Sequence, residues 1–373
     1  MRTFFVFIAF CFATTPSFSQ TPSAIIDRVL QAQQQLRTVA YTLERADTFV
    51  TGDTRKTSGQ VKLQLVPTDS VFGCWFWGKR NDANMETIYD GKKSIEIKTD
   101  KKEYSINTNP QGFPHLLGAP GGQMLLTDLF KLDTTQSTGY ELAQDDQYFY
   151  LTKHLPDIKQ YDVSKRYTIY TINKKSMLPV GRRSHQETLG KVQDLNYMVK
   201  ELWINDQAHA FDFNGQLFPA DYVADTQEND ALKPSPLLNK PSPAFELTTI
   251  DNKKVQLQQL KGKVVLLDFL EVWCGPCFAS APKIQALYDK YKTKGLQVYG
   301  VSFEKKQIES MKKMITKFNL AFPVLIGDED TRTAYDVNAI PRYVLIDKNG
   351  NVRFSKIGYS DDLEKEIVKV LER

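Results

Sequence analysis

The chain has 373 residues, 41% of them hydrophobic and 25% charged, with a net charge of +4. That length exceeds one ordinary domain, and the composition is that of a globular protein rather than a disordered one. Lys and Arg are interleaved with Asp and Glu, which excludes a clustered basic face and, with it, nucleic acid as a partner.

Residues 1–19 read as a cleavable signal peptide. Met1-Arg2 gives the positive start, residues 4–13 (FFVFIAFCFA) the apolar core, and Ser17 and Ser19 the small residues at the cleavage site. The core is too short to span a bilayer, and no later segment reaches about 18 apolar residues. The expected location is therefore outside the cytoplasm, the periplasm in a Gram-negative cell. Cys11 leaves with the signal, so Cys74, Cys274 and Cys277 remain. A disulfide-stapled secreted fold would carry many more.

Residues 22–37 predict a helix, with Pro22 at its first position and Ile25, Ile26, Val29, Leu30 and Leu36 on one stripe. From Val39 to about Leu202 the pattern becomes alternation punctuated by turns. Residues 87–106 (TIYDGKKSIEIKTDKKEYSI) predict three short strands, and residues 166–199 repeat that grammar. A helical interruption is expected at 121–130. Together these imply a domain of residues 20–220, a curved antiparallel sheet with helices. Residues 221–239, polar and rich in Pro-Ser pairs, are the expected linker.

Residues 240–373 change to α/β grammar. A continuous apolar run at 263–270 reads as a central parallel strand and 277–295 as a helix. A second strand (296–303), a helix (306–319), a strand at 322–327 and a short helix at 331–335 follow. An antiparallel hairpin (342–347 with 351–358) and a closing amphipathic helix (361–373) complete the pattern.

Between the first strand and its helix stands EVWCGPCFAS, residues 271–280. A CxxC pair at a helix start puts Cys274 in the positive field of the helix end, which favours its thiolate. Cys277, one turn inside, is placed to close a disulfide. These positions make Cys274 the nucleophile and Cys277 the resolving thiol. Zinc would require two further Cys or His ligands, and this half of the chain has none, so no metal is expected.

Residues 266–282 (LLDFLEVWCGPCFASAP) resemble the active-site segment of thioredoxin, from Asp268 through Trp273, Cys274, Gly275, Pro276 and Cys277 to Pro282. Residues 339–358 are similar to the segment carrying the family's cis-proline, which would be Pro341, with Gly358 as the hairpin glycine. Residues 298–304 and 318–341 resemble the exported TlpA/ResA branch. The resemblance covers about residues 240–373. It implies a thioredoxin fold and an enzyme, a thiol–disulfide oxidoreductase cycling through Cys274 and Cys277 without a cofactor.

The resemblance also implies that Asp268 takes up the proton of Cys277 and that Trp273 shapes the surface beside the sulfur. Ile340 and Pro341 would present backbone to a client strand, and Gly275-Pro276 would tune the couple toward reducing values of about −270 mV. Disulfide-containing clients and a membrane thiol reductase as electron donor follow from it. Three positions depart from the branch. Arg342 stands where threonine is usual, Ser280 where glutamate is common, and Asp268 is thioredoxin's choice rather than asparagine. These departures imply altered client recognition, not lost chemistry.

Residues 21–215 resemble the LolA/LppX-like lipoprotein carriers, chiefly at 87–97 and 167–187, which implies an apolar ligand. Trp75, Trp77, Tyr148, Phe149 and Tyr150 either line such a ligand face or form core, and burial statistics favour core. Cys74, alternating with Phe72 and Phe76, reads as a buried apolar cysteine; exchange with Cys274 is the sharper alternative. His115, His154, His185 and His209 receive no role. Two rivals remain: a carrier or scaffold whose redox half only binds, and a thiol peroxidase. Glu271, where peroxidases place threonine, counts against the second.

Overall fold

The computed structural model describes residues 21–135, 138–225 and 235–372. The expected signal peptide and the middle of the expected linker lie outside the described residues. Helix α1 (Pro22–Gln34) starts where Thr21 accepts a hydrogen bond from the Ala24 amide and Pro22 enters the first turn. Its buried Ile25 and Val29 sit on one face of a twelve-stranded sheet. The strands are β1 (Thr38–Thr48), β2 (Thr54–Leu65), β3 (Cys74–Arg80), β4 (Met85–Tyr89), β5 (Ser94–Lys98), β6 (Glu103–Asn107), β7 (Gly139–Gln144), β8 (Tyr148–His154), β9 (Val163–Asn173), β10 (Pro179–Thr188), β11 (Lys191–Ile204) and β12 (Val223–Ala224). Their order is β12-β6-β5-β4-β3-β2-β1-β11-β10-β9-β8-β7. The pairs are antiparallel apart from β12, which joins β6 in parallel.

Residues expected to form one helix at 121–130 form two short 3-10 turns instead, Gly122–Met124 and Thr127–Leu129, after a longer one at Pro110–Gly118. Gly121 and Gly122, adjacent at the start of this stretch, explain part of the difference, since each raises the entropic cost of an α-helix. These turns bury Met124, Leu126 and Leu129 against Tyr41, Leu43, Val61 and Phe76. Cys74 is fully buried in the same cluster, and burial pushes its thiol pKa far up. Trp75 and Trp77 alternate onto the opposite face, under Phe211 and Phe213, while Phe149 is buried with α1.

The second half builds a seven-stranded sheet from β13 (Glu246–Thr249), β14 (Lys254–Gln256), β15 (Val264–Phe269), β16 (Leu296–Ser302), β17 (Val324–Ile326), β18 (Arg342–Ile346) and β19 (Val352–Ile357). Its order is β14-β13-β17-β16-β15-β18-β19, with β15, β16 and β17 parallel. β15 is buried at every position, as a central strand covered on both faces must be. α2 (Gly275–Tyr291), α3 (Ile308–Phe318) and α5 (Asp362–Leu371) pack on one face, and α4 (Glu329–Ala334) leads into Tyr335 and Val337 on the other.

The halves meet through three turns of the large sheet. Leu189, at the β10–β11 turn, is 2% exposed and joins the α2–α3 cluster although its φ of 52° lies in the left-handed region. Tyr161 sets its ring edge-on to Phe278 at 5.9 Å. Lys313 and Lys317 donate to the carbonyls of Leu189 and Lys159, and Gln307 donates to that of Thr51 at 2.9 Å. The end of the expected linker is stitched down as well: the Asn239 amide donates to Val352 O, and the Val352 amide donates to Lys240 O.

Candidate active site

β15 runs out into the loop Leu270–Trp273, and α2 begins at once with Gly275 and Pro276 in its first turn. Cys274 is the N-cap residue, and its Sγ accepts the Cys277 amide N–H at 3.2 Å. The two cysteines form a disulfide across a Cα–Cα distance of 5.2 Å and are 4% and 2% exposed. Trp273 beside them is 47% exposed. The Ile340–Pro341 peptide is cis, and Pro341 O accepts the amide of Gly358, whose φ is +79°.

Buried polar groups occupy β15, β18 and the first turns of α2. Asp268 is 2% exposed on β15, opposite Tyr343 of β18 and Gly300 of β16, and its Oδ1 has no hydrogen-bond partner. Burial alone pushes its pKa up to about 7. Tyr343 Oη donates to Ser280 Oγ at 2.7 Å, and Ser280 Oγ in turn donates toward the carbonyls of Pro276 and Cys277. The hydroxyl that replaces the branch's glutamate thus holds the first turn of α2 to the sheet. Arg342, next to the cis-proline, turns inward and donates to Ser235 and Asp336, so it anchors the end of the expected linker. Among the described residues, no group of three or more His, Cys, Asp or Glu is placed to hold a metal ion.

The structure brings together Cys274, Cys277, Trp273, Gly275, Pro276 and Asp268 at the β15–α2 junction, with Ile340 and Pro341 in the loop before β18. Sequence reasoning missed Tyr343 and the place of Glu271, which lies 2% exposed in the β15–α2 loop. An acidic residue inside the apolar run FLEVWC was the one signal available.

Residues 237–371 match the family described as Redoxin. The thiol-disulfide oxidoreductase ResA of a Bacillus cereus strain is 37% identical over 123 residues, 32% of this chain and 70% of the relative. This chain belongs to the ResA family of thioredoxin-like thiol–disulfide oxidoreductases. The ResA of Geobacillus kaustophilus is 33% identical over 132 residues, covering 35% and 75% of the two chains. Among solved structures, a putative thiol:disulfide interchange protein DsbE from Chlorobium tepidum is similar at 34% identity. The match spans 36% of this chain and 99% of that one, with a TM-score of 0.34. The family match is confined to the second half, so the lipoprotein-carrier resemblance of the front sheet gains no support from it.

Proposed function

We propose that this oxidoreductase is exported and reduces client disulfides through a Cys274–Cys277 dithiol/disulfide couple. The observation that carries the reading is the seat of Cys274: its sulfur caps α2 and already accepts the Cys277 amide, so the helix end favours its thiolate. In the reduced protein the Cys274 thiolate attacks a client sulfur and forms a mixed disulfide. The second client sulfur leaves as a thiolate. Cys277 then loses its proton to Asp268, through water, and its sulfur attacks Cys274, which releases the remaining client sulfur as a thiolate and restores the disulfide. The two client thiolates take up protons, one from Asp268 and one from solvent.

Trp273, Gly275, Pro276, Ile340 and Pro341 form the surface a client strand meets. The oxidised couple is re-reduced by an external dithiol, which for an exported protein is a membrane thiol reductase. The front sheet orients the client. Export rests on the basic start and short apolar core of residues 1–19.

Trapping tests the reading. Cys277→Ser should accumulate mixed disulfides on Cys274 that mass spectrometry identifies, and Cys274→Ser should reduce no insulin. A Cys274→Ser chain that still turned insulin over would overturn it. Turnover absent from the intact chain would favour the scaffold instead.

A further inference from the structure

The mechanism leaves one buried titratable group unused. Glu271 stands three residues before Cys274, and its backbone carbonyl accepts the Cys274 amide at 3.1 Å. Its carboxylate leaves the loop and reaches the end of the neighbouring strand β16. There Oε2 accepts from Ser302 Oγ at 2.8 Å and Oε1 from the Phe303 amide at 2.7 Å. A glutamate that is 2% exposed loses its hydration, and burying it costs several kcal/mol unless its oxygens are satisfied. Both partners are donors. One of them, the Phe303 amide, has no alternative role as an acceptor, so the contact selects an oxygen at this point.

We propose that Glu271 is a positioning residue for the redox couple, its carboxylate lacing the loop that carries Cys274 to the end of β16. The Cys274 amide and the Phe303 amide are thus held through one side chain and its own backbone. Protonation of Glu271 weakens the lace, because the ionised carboxylate is the stronger acceptor. Burial pushes its pKa up to about 7, against the two hydrogen bonds, which pull it down. Glu304, just past β16, raises it further, and Arg332 of α4, stacked over the Phe303 ring at 4.2 Å, lowers it. Asp268 is the other buried carboxylate of this region. The lace therefore loosens as pH falls through neutrality, while the front sheet touches the same segment at Gln307.

This inference rests on Cys274 being the attacking sulfur, and the experiment separates the two. In the oxidised full chain, the Phe303 and Cys274 amide NMR signals should titrate together with a midpoint near pH 7. They should do so in Asp268→Asn, and in that background the added Glu271→Gln should abolish the titration. In the reduced full chain, Glu271→Ala should slow alkylation of Cys274 by iodoacetamide about tenfold at pH 8, the size expected for losing a charged hydrogen bond. Glu271→Gln should recover to within about threefold, since its amide oxygen accepts from Phe303 and its N–H donates to Ser302.

An alkylation profile for Glu271→Ala that superimposes on the wild type overturns the inference even if Tm falls, because that is a merely structural residue. If Glu271→Ala does not fold, amide signals that still titrate near pH 7 in the Asp268→Asn/Glu271→Gln double variant, which lacks both buried carboxylates, overturn it. Insulin reduction by Cys274→Ser decides the functional reading independently: a dead Cys274→Ser beside a wild-type-like Glu271→Ala refutes the positioning role only.

Discussion

Asp268 is an aspartate in the middle of a strand whose every residue is buried, and its Oδ1 makes no hydrogen bond. Nothing stabilises its charge, so burial holds its pKa near 7, against 3.8 when exposed. Between those values the folded chain keeps the proton that the unfolded chain releases, so the contribution of this group to stability is fully present below about pH 4. It is lost as pH rises through 7 and then costs about 4 kcal/mol. Asp268→Asn should therefore raise Tm more at pH 8 than at pH 4.5 in thermal denaturation of the oxidised protein. It should also slow insulin reduction more at neutral than at alkaline pH, where solvent base replaces the carboxylate. An equal loss of rate at both pH values would remove Asp268 from proton transfer, and an equal change in Tm would show that its pKa is not raised by folding.

At the scale of elements, the β10–β11 hairpin is the feature whose local rules and tertiary role disagree. A left-handed Leu189 is unfavourable where glycine or asparagine is usual, and Gly190 follows with φ +76°. The conformation persists because it inserts the leucine side chain into the cluster containing Phe278, Met311 and Met314, while Lys313 donates to its carbonyl. Leu189→Ala should cost about 2 kcal/mol, at the low end for a buried leucine because the site is a seam that can close. Urea denaturation of the full chain measures it, and a loss under about 0.5 kcal/mol would mean that the hairpin merely rests on the redox half.

For the whole molecule, the contacts of Leu189, Tyr161, Lys313, Lys317 and Gln307 bind two sheets that each bury their own core. A Pro-rich linker alone implies few contacts across the boundary. The structure adds these, and it lays residues 239–242 along β19. A fragment of residues 235–373 should fold and reduce insulin at a rate close to that of the full chain. Its Tm should be lower, because Phe278 and the α2–α3 groove lose their cover. Capture of native clients by the Cys277→Ser form should fall, as a tethered second surface raises effective concentration to about millimolar. Equal client capture by fragment and full chain would make the front sheet a passenger.

The redox half was legible from local signals because its chemistry is local. A run at 264–269 that is apolar except for Asp268 reads as a doubly covered strand, and the CxxC after it sits at a helix start. The α1 helix and the strands from 85 to 107 followed in the same way from period and turn residues. The β13–β14 hairpin escaped because it is a short edge pair whose polar strands carry no clear alternation, and the turns at 110–129 because their shape is set by what they cover. The environment of Glu271 lay further out of reach. Its partners Ser302 and Phe303 are about thirty residues away and adjoin it only because β15 and β16 are parallel neighbours. Sequence by itself determined that Cys274 and Cys277 would stand close enough to pair at a helix start, since two residues of spacing across the first turn bring them together. Only the tertiary structure decided which buried acids surround them and which turns of the front sheet lean on their helix. Desolvation and long-range packing depend on neighbours that the linear order of residues does not name.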